Sequence, residues 1–128
     1  MIILRNHDYD STSWQGRSSE WNHLSQLLFN GEGEYPLNAP ATVKPYDDFI
    51  RHLFVRTTPS TLASIKIDSD ETILIAGSRK ALYVLGDNAE DMTSISVGDH
   101  CHVDCLILSE YLTEDSVLSV WQRLPDSE

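Results

Sequence analysis

The sequence predicts an α+β fold, an antiparallel sheet with two amphipathic helices packed on it. Three observations predict it. Apolar residues recur at helical spacing twice, at Trp21, Leu24, Leu27 and Leu28 and again at Leu82, Leu85, Ala89 and Met92. Residues 63–68 alternate as a half-buried strand does, and residues 72–76 form an apolar run of strand length. Placing Gly16 over Gly77, an offset of 61, aligns Trp14 with Ile75, Trp21 with Leu82, Leu24 with Leu85 and Leu28 with Ala89. Strand, glycine turn and helix then occur twice in the same order, which reads as a duplicated strand-turn-helix unit. The competing reading is chance, because any two amphipathic helices share apolar spacing.

In chain order, residues 2–4 predict a short edge strand and residues 12–15 another before Gly16. Ser18 or Ser19 caps a helix over residues 19–29, which Asn30-Gly31-Glu32-Gly33 ends because glycine takes the left-handed backbone of a helix terminus. Residues 35–45, with Pro36, Pro40 and Pro45, predict a long loop or extended crossing. Residues 46–49 fit helix and strand alike, whereas residues 53–57 carry the β-branched residues of a strand. Residues 63–68 and 72–76 should pair as a hairpin around Ser69-Asp70. A helix over residues 79–92 follows Gly77-Ser78, with Gly86 weakening its middle by about 1 kcal/mol relative to alanine. Strands over residues 100–108 and 117–124 close the fold. Residues 1–128 read as one domain, the default for this length.

Charge narrows the function. The chain carries 20 acids against 9 lysines and arginines, a formal charge of −11. A phosphate backbone or anionic membrane repels such a surface, so direct nucleic-acid and membrane binding are not expected. The excess is uneven: residues 1–64 hold seven acids and five bases, while residues 65–128 hold 13 acids and four bases. A negative face from the second half would steer a basic partner, with solubility as the plain alternative. Ile2, Ile3, Leu4 and Arg5 after Met1 lack the basic start and long apolar stretch of a secretory signal, which predicts a cytoplasmic protein. Cys101 and Cys105 lie four apart on a predicted strand, about 13 Å between Cα atoms. A disulfide needs less than about 7 Å, so two reduced thiols are expected.

The densest polar cluster is Asp99-His100-Cys101-His102-Val103-Asp104-Cys105. On a strand, His100, His102 and Asp104 share one face, and two imidazoles with a carboxylate are ligands for zinc or iron. A half-covered sheet demands the same alternation, with Cys101, Val103, Cys105 and Ile107 towards the core. His7, His23 and His52 add no further ligand motif, and the structural reading is preferred. Gly77-Ser78 resembles a phosphate-binding turn but lacks any glycine-rich phosphate motif, so a tight strand-to-helix turn is expected. No nucleophile motif occurs, and no cofactor is expected. Trp14, Trp21 and Trp121 suit a core.

The ordered runs Ala63-Ser64-Ile65-Lys66-Ile67-Asp68, Ile73-Leu74-Ile75-Ala76-Gly77-Ser78, Ala81-Leu82 with Leu85 and Asn88, Gly98-Asp99-His100-Cys101-His102-Val103-Asp104, and Tyr111-Leu112 with Ser116 and Leu118 resemble a bacterial immunity-protein family. It is the family numbered thirty-two in polymorphic-toxin systems, and Pro45-Tyr46 and the Gly16, Trp21, Leu24 unit extend the likeness over most of the chain. The chain departs from it where Cys105-Leu106-Ile107-Leu108 replaces an aromatic and often a proline. The resemblance implies a small, non-enzymatic α+β protein that neutralises a cognate toxin domain inside the producing cell. Charge and resemblance together predict an acidic surface docking on a basic toxin, with Asp87, Glu90, Asp91, Asp99, Glu110, Glu114 and Asp115 as candidate contacts. Two other readings compete: a metal-dependent enzyme using His100, His102 and Asp104, and a regulatory or homodimerising module contacting through a sheet edge or an exposed tryptophan. Monomer and homodimer both remain open.

Overall fold

Both predicted helices form in the computed structural model, which describes residues 1–7, 11–69, 71–103, 108 and 110–126. Helix α1 spans Ser18–Asn30 and α2 spans Arg79–Asp91. Gly31 stops α1 in the left-handed conformation (φ 86°), its N–H donating to the Leu27 carbonyl. Ser78 starts α2, its hydroxyl accepting from the Ala81 N–H at 3.1 Å. The strands are β1 Ile2–Asn6, β2 Ser11–Gly16, β3 Glu32–Pro36, β4 Asp48–Phe49, β5 His52–Thr57, β6 Ser64–Ser69, β7 Thr72–Gly77, β8 His100–Val103 and β9 Leu118–Arg123.

The α+β class and the two helices stand, but the strands form two sheets rather than one. Their orders are β4-β1-β2-β9-β8 and β3-β5-β7-β6. Each contains one parallel pair, β2 with β9 and β5 with β7, beside antiparallel neighbours that include the expected β6–β7 hairpin. A two-residue alternation specifies which face of a strand is buried, not which strand lies beside it. The first strand is no edge, since the short β4 pairs with β1. An unexpected strand, β3, spans the glycine-rich stretch that ends the first helix and the first two residues of the expected loop; its glutamates, glycine and proline lack strand propensity, and pairing with β5 holds it. The predicted strand over residues 100–108 is seen as β8, and residues 104–107 lie outside the described residues.

The offset of 61 residues carries β2 onto β7 and α1 onto α2 end to end. The pairing repeats as well. Hairpin β1–β2 precedes α1 as hairpin β6–β7 precedes α2, and each helix is followed by a second antiparallel pair, β3–β5 or β8–β9. That second pair joins the other unit's sheet: β5 lies parallel to β7, and β9 parallel to β2. Each unit therefore completes its partner's sheet.

One buried cluster draws on both sheets and both helices. Below the first sheet Trp121 stacks between Trp14 and Trp21, with ring centroids 5.4 and 5.0 Å away. The equivalents of Trp14 and Trp21 in the second unit are the aliphatic Ile75 and Leu82, also fully buried. The helices pack against each other where equivalent positions are small, Ser25 on α1 and Gly86 on α2. A Cβ at Gly86 would stand 2.5 Å from the Phe29 ring, so this glycine trades helix propensity for close approach. Gly77 serves the same end: a Cβ there would lie 2.5 Å from the Ala63 Cα, and the residue makes room for backbone.

Candidate functional site

Helix α2 buries Ala81, Leu82, Leu85, Gly86 and Ala89 and turns Tyr83, Asp87, Glu90 and Asp91 outward. Tyr83, Asp87 and Glu90 stand at i, i+4 and i+7, one stripe of the helix. Tyr83 is 55% exposed yet braced, its ring tilted against Phe29 of α1 at 4.5 Å between centroids. The outward surface continues into residues 93–99, where Val97 is 53% exposed and Asp99 is exposed. Among the described residues, no hydrogen bond or ion pair reaches the carboxylates of Asp87, Glu90, Asp91 or Asp99.

Arg123 of β9 fixes this surface from below. Its Nη1 donates to the carbonyls of Thr93 and Ile95 at 3.0 and 2.9 Å, while its backbone bonds Gly98 and Asp99. Its Nη2 meets Asp126 at 2.7 Å. Asp126 also accepts from the Ser18 N–H at the start of α1, and that bond, followed by Arg123, holds its carboxyl below the usual range. A buried arginine thus ties the end of α2, the loop after it and the start of α1 into one frame.

The seven candidate acids fall on two segments of the fold. Asp87, Glu90, Asp91 and Asp99 lie on α2 and the loop that follows it. Glu110, Glu114 and Asp115 lie in the segment that covers β6, where Ala63 and Leu112 form a bridge and the Val117 N–H donates to Ile65. Asp115 is committed to Lys66 at 2.9 Å, and that bond, with a second from Thr113, lowers its pKa. Glu110 borders a recess at the start of α2 with Lys80 and Tyr111.

The duplication supplies an internal comparison. The α1 positions equivalent to Tyr83, Asp87, Glu90 and Asp91 are Asn22, Gln26, Phe29 and Asn30, all uncharged. The one acid of α1, Glu20, sits in the first turn, where the helix dipole favours it, and accepts from the Arg17 N–H at 3.0 Å. Helix α2 reverses this arrangement. Arg79 and Lys80 open it, while Glu90 and Asp91 close it with no base in the last turn. Each such charge opposes the dipole, so helix stability does not explain them.

The alternative site is partly in view. His100 and His102 are exposed on β8, their rings edge to face with centroids 5.4 Å apart. Asp104 and Cys105 lie outside the described residues, and among the described residues no group of three or more histidine, cysteine or acidic side chains is placed to hold a metal ion. Cys101 is half-buried against the core with its sulfur 3.5 Å from that of Met92, and burial together with nearby Asp91 pushes its thiol pKa up. All three tryptophans are fully buried, which removes the exposed-tryptophan contact. Tyr83 and Arg123 were missed from sequence. The spacing of Tyr83 with Asp87 and Glu90 could have revealed the first, but nothing local marks an arginine whose partners lie about thirty residues earlier.

No helix among the described residues is long and apolar enough to cross a membrane. No family model matches the chain, and no curated protein and no solved structure matches it.

Proposed function

We propose that this chain is an immunity-type inhibitor, a non-enzymatic cytoplasmic protein that binds a basic toxin domain and neutralises it through the outward surface of α2 and residues 93–99. The observation that carries this reading is the contrast between equivalent helices: α2 bears Tyr83, Asp87, Glu90 and Asp91 where α1 bears Asn22, Gln26, Phe29 and Asn30. Acids that oppose their own helix dipole call for a use outside the fold. A braced, half-exposed tyrosine among exposed carboxylates has the anatomy of a binding surface, an aromatic anchor for affinity and surrounding charge for association rate and partner choice. The sequence resemblance to an immunity-protein family supports the same reading.

Co-expression with the product of the neighbouring reading frame, which the reading expects to be a toxin, tests the proposal. The chain should restore growth and co-purify with the toxin, and Tyr83→Ala should weaken the complex by about 2 kcal/mol. Continued killing in the presence of folded chain, without co-purification, would reject the reading.

A further inference from the structure

We propose that β8 carries a two-histidine chelate for a borderline divalent transition-metal ion of the copper and nickel class. His100 and His102 project from the same face of the strand, both exposed, with ring centroids 5.4 Å apart and ring planes at 74°. Two imidazoles on neighbouring positions of one ion, at about 2.0–2.1 Å per nitrogen, place their centroids roughly 4.5 Å apart at the square-planar angle copper and nickel favour and roughly 5.2 Å apart at a tetrahedral angle. The rings therefore lie within about 1 Å of a chelating separation, which rotation of two exposed side chains can close.

Three features keep them available. Among the described residues β8 is the terminal strand of its sheet, paired on one side, with His100 opposite Gln122 and His102 opposite Val120. Among the described residues no hydrogen bond reaches either imidazole, unlike His52, which meets Glu34 at 3.3 Å. His100 also borders a recess of about 250 Å³ lined by Ser11, Ser13, Tyr46 and Gln122, which leaves room for water or a small oxygen ligand to complete the ion's coordination. The duplicated unit has no such pair. Register places Glu32 and Glu34 of β3 at the positions equivalent to His100 and His102, so the imidazoles belong to this half alone.

Imidazole ligands suit copper, nickel and zinc, with affinity rising from nickel to copper, whereas magnesium takes oxygen ligands. That preference separates chelation from attraction of any cation to a chain of charge −11. Calorimetric titration of untagged protein with Cu2+, Ni2+ and Mg2+ tests the proposal, with circular dichroism to confirm that each variant is folded. One equivalent of Cu2+ and of Ni2+ should bind per chain, Cu2+ more tightly, and Mg2+ should give no saturable binding. His100→Ala and His102→Ala should each weaken Ni2+ binding at least tenfold, while His52→Ala leaves it unchanged. Absence of saturable Cu2+ and Ni2+ binding, or binding that survives the double substitution His100→Ala/His102→Ala, would overturn it.

Discussion

Glu90 and Asp91 close a helix whose C-terminal end already carries partial negative charge, and nothing basic in the last turn offsets them. Replacing each by its amide, Glu90→Gln and Asp91→Asn, should raise stability by about 0.3–1 kcal/mol per substitution at low salt, read from urea denaturation midpoints. Lower stability would mean that these acids make structural contacts. Tyr35 offers a test of burial at the same scale. Its hydroxyl donates to the Glu20 carbonyl at 3.1 Å, and burial raises its pKa to about 12 from 10.0. Between those values the unfolded chain loses the phenol proton first, so stability falls as pH rises from about 10 towards about 12. The wild type should exceed Tyr35→Phe by about 1 kcal/mol near neutral pH. That margin should shrink at pH values between the two pKa values, as read from paired denaturation curves.

At the scale of elements, the turn between β7 and α2 depends on one absent methyl group. Gly77→Ala would press a Cβ against the Ala63 backbone and should cost about 1–3 kcal/mol in thermal or chemical denaturation. The helices, the β6–β7 hairpin and the offset between the units were legible because each is written in local periodicity and glycine placement. β3 was not, because Glu32, Gly33, Glu34 and Pro36 have no strand propensity and are held by β5. The parallel pairs β2–β9 and β5–β7 escaped for a related reason: partners lie far apart in sequence, and alternation names a buried face without naming a neighbour. The candidate surface was half legible. Asp87, Glu90 and Asp91 stand where helical spacing put them, but the placement of Glu110, Glu114 and Asp115 depends on a segment held beside β6 by long-range contacts.

Across the whole molecule, the interleaving of the two units makes each sheet depend on both halves of the chain. The stacked tryptophans report on the first sheet and α1, whereas backbone ellipticity reports on every element. The two signals should therefore follow one denaturation curve, and separate midpoints would mean that the units unfold independently. The net charge of −11 also acts at this scale, because it sets a long-range negative field that would steer the basic partner proposed above. The central claim is tested most directly by the association rate of the proposed toxin partner with the wild type and with Asp87→Asn/Glu90→Gln/Asp91→Asn, measured by stopped flow over a range of salt. The wild-type rate should fall steeply as salt rises, and the neutralised variant should associate at least about tenfold more slowly at low salt with a shallower salt dependence. Equal rates and equal salt slopes for the two proteins would contradict the account.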